Sequence, residues 1–243
     1  MLFVERWKYL FSVIVALGTI HVSKAQQLPH FTDYPKAAYF FNPAYIETDS
    51  RLTVSSQFVN LSVGGIGVGS YTTMNFLQGR VYKSEQQNLL NLTGGIGYTW
   101  DKFGSTRHLS KLSLANELTS SSGDRLVIGV SFVRNDMFLD ARNTVVISPT
   151  PFPQKMVHGL AYDIDAGIFF SGLDDKLRMG FSSQQIQTNS ITWTTDPTLS
   201  PFKRYRHYFA NASYGFSVSK KISLRPGILY QHMQSAIGPP LYI

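Results

Sequence analysis

Cysteine is absent from all 243 residues. That removes disulfides and thiolate metal sites from the available chemistry, so stability must come from backbone pairing and burial. Charged residues are sparse, at 15%. After the N-terminal segment no stretch is apolar for the roughly 20 residues that a membrane-spanning helix requires. A membrane protein built from this sequence is therefore a β-barrel, the other structure whose backbone groups are all satisfied in lipid. The mean hydropathy of −0.07 fits, because barrel strands alternate lipid-facing and lumen-facing residues and average to neutral. The six histidines show no metal-ligand spacing, and no Gly-x-Ser-x-Gly elbow occurs. The Gly64 to Gly69 run lacks the Gly-Lys-Ser/Thr ending of a phosphate loop and reads as a flexible surface loop. No cofactor is expected and no catalytic residue is assigned.

What is present begins with an export signal. Arg6 and Lys8 precede an apolar stretch from Leu10 to Ile20 that closes on Ser23-Lys24-Ala25, the small-x-small pattern of a signal peptidase site. Residues 1–25 read as a signal peptide and Gln26 as the first mature residue. An anchor helix is excluded by the shortness of the apolar run. Removing the signal changes 22 basic and 15 acidic residues into 19 and 14, and the net charge from +7 to +5. That balance suits anionic lipid or acidic partners, and nucleic acid is not expected outside the cytoplasm. Aromatics, at 14%, are plentiful enough to form girdles at membrane borders.

Residues 26–50 read as an N-terminal periplasmic segment and residues 51–243 as the barrel. Nine segments show period-two patterning: Leu52 to Phe58, Thr72 to Tyr82, Leu92 to Tyr98, Leu112 to Leu114, Leu126 to Val133, Tyr162 to Phe170, Leu177 to Ser182, Tyr208 to Phe216 and Ile222 to Tyr230. No helical period stands out, so the class is all-β, a transmembrane antiparallel outer-membrane β-barrel. Even-numbered connectors are short, such as Ser120 to Asp124, Gly172 to Asp175 and Ser219 to Lys221; odd ones are long, notably Arg134 to Gly159 and Gln184 to Lys203. Short periplasmic turns and long external loops are the asymmetry of outer-membrane barrels, for which a soluble sandwich gives no reason. The odd strand count and the ending Pro239-Pro240-Leu241-Tyr242-Ile243 read as a barrel incomplete at its C-terminus. On the fifth segment Ile128, Val130 and Phe132 are expected to face lipid.

The long connectors are where partner recognition is expected. Phe152 and Trp193 are candidate interface anchors, and Lys203, Arg204 and Arg206, with His207, form a basic cluster where a connector enters a strand. The alternatives are a loop folded inward as a plug and a basic cluster that anchors at the membrane interface. Asp163 and Asp165, two apart, share one strand face and can bind a cation or act as an acid/base pair. The favoured reading makes them lumen residues balanced by Arg178 or Arg225 on other strands. Asn60, Asn91 and Asn211 match the glycosylation tripeptide but lie in or at the ends of strands, and are discounted.

Several segments together resemble the PorP/SprF family of the type IX secretion systems of Bacteroidota. They are Gln26-Gln27-Leu28-Pro29-His30-Phe31-Thr32-Asp33-Tyr34 with Phe41-Asn42-Pro43-Ala44-Tyr45; Gly95-Ile96-Gly97-Tyr98 leading to Trp100-Asp101-Lys102-Phe103-Gly104; and Arg206-His207-Tyr208-Phe209, Gly215-Phe216 and Leu224-Arg225-Pro226. The chain departs from the family pattern in the Gly64 to Gly69 loop and in lacking a final alternating strand. The resemblance implies a non-enzymatic outer-membrane subunit. It would work with type IX translocon components in secreting or attaching a surface protein such as a gliding adhesin. A porin-like or hydrophobic-compound transporter is the alternative, since fold alone does not fix function.

Overall fold

The structure, a computed structural model, describes residues 34–45, 52–62, 69–84, 91–103, 105–140, 156–197, 199, 201–219 and 222–234, all within the compact unit Phe31–Ile243. The signal segment, the Gly64 to Val68 stretch and Phe152 lie outside the described residues.

One short helix, α1 (Tyr34–Phe41), precedes the strands β1 (Leu52–Ser62), β2 (Gly69–Lys83), β3 (Asn91–Phe103), β4 (Ser105–Thr119), β5 (Arg125–Asp140), β6 (Met156–Gly172), β7 (Leu177–Gln184), β8 (Thr192–Trp193), β9 (His207–Tyr214), β10 (Phe216–Ser219), β11 (Ile222–Leu224) and β12 (Gly227–Met233). The main sheet follows the chain, β1-β2-β3-β4-β5-β6-β7-β9-β12, every neighbour antiparallel, with β8 paired to the upper part of β6. Its end strands, β1 and β12, are not joined to each other among the described residues. β10 and β11 form a separate two-stranded ribbon below β9 and β12.

The outward face of this sheet is apolar, while its buried face mixes charged and polar residues with apolar ones. On β5 the exposed apolar side chains are Leu126 at 39%, Ile128 at 49%, Val130 at 50% and Phe132 at 52%. The buried alternate positions of β4 to β7 include Lys111, Ser113, Ser131, Asn135, Asp163, Asp165, Ser182 and Gln184. Apolar outside and polar inside is what lipid selects on a strand. The outward apolar run on β5 ends at Arg134 and Asp136. At that level a chain of ring contacts crosses from β2 to β6: Tyr71 to Trp100 at 5.0 Å, Trp100 to His108 at 6.4 Å, His108 to Phe138 at 5.5 Å and Phe138 to His158 at 4.6 Å. Such a belt of amphipathic rings marks the border between hydrocarbon and head groups.

The sheet also curls. Tyr39 meets Phe76 of β2 with ring centroids 4.9 Å apart, and Phe41 meets Phe209 of β9 at 4.8 Å. In a flat sheet β2 and β9, six intervals apart in the strand order, would stand about 29 Å from each other at about 4.8 Å per interval. Side chains two residues apart on one helix reach both only if the sheet wraps around that helix.

Several boundaries differ from the sequence reading. Arg134 to Gly159 is not a connector throughout, because β5 and β6 pair up to Asp140 and Met156, leaving residues 141–155 outside the described residues. β3 and β4 likewise pair out to Phe103 and Ser105, so this connector is short where a long one was expected. The reason is common to both: beyond the hydrocarbon level the outward positions are polar too, and alternation disappears from the sequence while the pairing continues. The eighth segment breaks at Gly215 into β9 and β10, and the ninth at Arg225-Pro226 into β11 and β12. Proline has no N–H to give to the ladder; its carbonyl still accepts from Tyr214 N at 3.1 Å.

Candidate functional site

The inner face centres on a seat for residues 37–44. Across neighbouring strands the paired residues Ala115, Gly129, Gly167 and Ser182 form a row with little or no side chain. Asn42-Pro43-Ala44 fills the space this leaves. A Cβ at Gly129 would lie 2.5 Å from the Pro43 carbonyl carbon, and one at Gly167 would lie 2.1 Å from Asn42 Oδ1. Asn42 shapes the turn, its Oδ1 accepting from Ala44 N at 2.9 Å while its Nδ2 donates to Ile168 O at 2.9 Å. This is the side-chain mimic of a backbone turn that asparagine favours. Tyr45 N closes on Asn42 O at 3.0 Å, and the Tyr45 ring packs on Phe169 with centroids 4.6 Å apart.

Carbonyls at the C-terminus of α1 have no intrahelical donors and carry the negative end of the helix dipole. The sheet supplies the donors. Lys111 Nζ donates to Phe40 O at 2.8 Å, Gln184 Nε2 donates to the same oxygen, and Ser182 Oγ donates to Phe41 O at 2.7 Å. Ala37, Ala38, Tyr39, Phe40 and Phe41 are all buried. The sequence reading set residues 26–50 apart from the sheet and found no helix; α1 has eight residues, too few to impose a visible period.

Above the seat lies a buried charge network. Asp165 pairs with Lys111 at 2.9 Å, and Asp163 with Arg204 at 3.3 Å. The two aspartates are inner-face residues with balanced charge, as expected, but the expected partners are wrong. Arg178 pairs in register with Ser171, six residues along β6 from Asp165 and so about 20 Å away. Arg178 and Arg225 both serve Asp175 instead. Each aspartate also holds backbone: Gln185 N donates to Asp165 Oδ1 at 3.0 Å, and Ile164 N and Gln187 N donate to Asp163 Oδ1 at 2.8 and 3.0 Å. These oxygens are engaged as fixed acceptors.

The candidate partner-binding residues separate. Trp193 is 8% exposed, packed with Ile191, Met137, Val157 and Ala161 on the inner face. Gly159 makes this possible, since a Cβ there would lie 2.4 Å from Ile191 Cγ2. Arg204 is buried against Asp163, and Arg206 donates to Ile186 O. Lys203 is exposed. Residues 186–194 of the connector extend the sheet beside β6 beyond the end of β7, Ile186 N donating to Ile164 O at 3.0 Å and Thr194 N to His158 O at 2.8 Å, with Trp193 and Arg204 engaged by the chain itself.

At the opposite end, the β6–β7 turn places Leu173, Asp174 and Asp175 at φ 56°, 54° and 62°, a left-handed run that side chains disfavour. Asp124 accepts from Leu173 N at 3.1 Å. Asp175 gathers Arg178, Ser171, Arg225 at 3.3 Å and Arg125 at 3.6 Å. The Arg178 hydrogen bonds foremost, with Ser171 and the Arg225 charge adding, outweigh partial burial and hold the Asp175 carboxyl down to about 2.

Lys111, Ser182, Gln184 and the seating of Asn42 were not found from sequence. The available signals were the Asn-Pro dipeptide, which marks a turn, and glycines at inward positions of successive strands, which mark close backbone approach.

An inner face rich in buried polar groups that wraps the chain's own N-terminal segment, beneath an apolar outer face, defines a transmembrane β-sheet protein with an occupied interior. The model of the type IX secretion system membrane protein PorP/SprF family matches residues 23–238. The chain belongs to that family, a family of secretion-system membrane components and not of enzymes. Comparisons with curated proteins and with solved structures give no match.

Proposed function

We propose that this chain is exported by a cleaved signal over residues 1–25, resides in the outer membrane, and binds a secreted surface protein such as a gliding adhesin for the type IX translocon. Family membership over nearly the whole chain carries this reading. In the proposed orientation the 120–124 and 173–176 turns face the periplasm, and connectors 141–155 and 185–206 face outward, where recognition is free to vary. Lys203 is the exposed member of the basic cluster; with Phe152, Trp193, Arg204 and Arg206 it would contribute where the connectors open.

A porin-like or hydrophobic-compound transporter is the competing reading. The chain's own residues 37–44 fill the inner face of the strands, which weighs against a passive channel. The test is a deletion strain in which surface retention of the type IX adhesin and uptake of small solutes are measured together. Loss of retention with unchanged uptake supports secretion or attachment. Full retention with reduced uptake favours transport.

A further inference from the structure

Lys111 belongs to both the seat and the charge network. Its ammonium donates to Phe40 O at 2.8 Å and pairs with Asp165 at 2.9 Å, the two side chains only 6% and 4% exposed. Asp165 in turn holds Gln185 N, and Asp163 holds Gln187 N and Arg204. Both ends of the connector are thus fastened to the aspartates. On the seat's side, Ser182 and Gln184 grip the α1 carbonyls, and the next residue, Gln185, turns the chain out of β7 at φ 58°. One unbroken run of contacts joins the N-terminal segment to the connector.

Each partner depends on the strands it contacts. α1 is eight residues long with no acidic residue in its first turn and no basic residue in its last, well below the length at which a helix persists alone. The connector holds Gln185 and Thr188 at positive φ, a conformation that other contacts must enforce. Each therefore holds its conformation only while its anchors hold.

We propose that seating of the 37–45 segment and docking of the 185–206 connector along β6 are one coupled two-state element, with Lys111 as its joint. When the segment leaves, Lys111 and Gln184 each lose their acceptor at Phe40 O. A buried ammonium left with one partner is costly, so the side chain moves and releases Asp165, and with it Gln185. In the reverse direction, an opened connector admits water to Asp163 and Asp165, which weakens the Lys111 pair and the grip on α1. The coupling is reciprocal by linkage. A partner that engages either end is felt at the other, which goes beyond the secretion reading and does not depend on which protein is secreted.

The absence of cysteine gives a clean test in the full chain in membranes. Single cysteines replace Ala38, 1% exposed on α1, or Ile191, 0% exposed in the connector, and maleimide labelling rates are measured. The opposite end is perturbed in each case: Trp193→Ala for the Ala38→Cys reporter, and Ser182→Ala with Gln184→Ala for the Ile191→Cys reporter. Each perturbation is expected to raise labelling at the distant reporter at least tenfold. With Lys111→Met both reporters become fast and the distant perturbation adds less than twofold. Should Trp193→Ala not assemble, Arg204→Gln releases the connector's end without opening a cavity. Labelling within twofold of the unperturbed rate, or distant effects that persist in the Lys111→Met background, overturns the coupling.

Discussion

Gly129 and Gly167 are inward positions where nothing but a hydrogen fits, because the Pro43 backbone and the Asn42 side chain occupy the space. At Gly129 the obstacle is main chain, which cannot turn aside as a flexible side chain can. Gly129→Ala is therefore expected to lose about 1 to 3 kcal/mol, the usual cost of overpacking, read as a lower temperature for loss of the folded band in heat-modifiable electrophoresis. An unchanged transition would mean that Asn42-Pro43-Ala44 does not sit in this row. The Asp163–Arg204 pair offers a second residue-scale test. Arg204→Met leaves a buried carboxylate without its counter-charge, expected to cost about 3 to 5 kcal/mol. Adding Asp163→Asn keeps the acceptor for Gln187 N while removing the charge, and is expected to recover most of the loss. Failure of the double substitution to recover stability would show that the pair's charge is not what matters.

At the scale of elements, strands were legible where lipid enforces alternation and illegible where it does not. The core of β5, from Leu126 to Val133, stands out because outward Ile128, Val130 and Phe132 alternate with small or buried partners. Its continuation through Arg134, Asn135 and Asp136 is equally well paired but polar on both faces. The seat was less legible, because its residues come from four strands, β4 to β7, and from α1, far apart in sequence and each ordinary locally. Two predictions belong at this scale. Val130→Arg, on the outward face, is expected to cost about 2 to 4 kcal/mol near the bilayer midplane; unchanged heat-resistant migration would contradict the facing of β5. The β6–β7 turn is expected to weaken in acid. Asp175 is held down to about 2 in the folded chain, against about 3.9 unfolded. Its contribution is complete above pH 4 and fades as pH falls towards 2. Asp175→Asn should flatten stability between those values, and a variant with the same acid profile as the parent would exclude this clamp.

For the whole molecule, the claim that matters most is the facing of the sheet: an apolar face towards lipid and a face rich in buried polar groups towards the chain's own N-terminal segment, in a member of the PorP/SprF family. A compositional mean hydropathy of −0.07 hides this, since it averages the two faces. The most direct measurement uses the cysteine-free sequence to place one spin label at a time along β5, from Leu126 to Val133, in membranes. Collision with oxygen, which concentrates in lipid, is compared with collision with a water-soluble nickel complex. Labels at 126, 128, 130 and 132 are expected to meet oxygen readily and nickel poorly, and labels at 127, 131 and 133, leaving out Gly129 where no side chain fits, to meet both poorly, giving a period of two. Free access of the nickel complex to positions 128, 130 and 132 would contradict a membrane-spanning sheet.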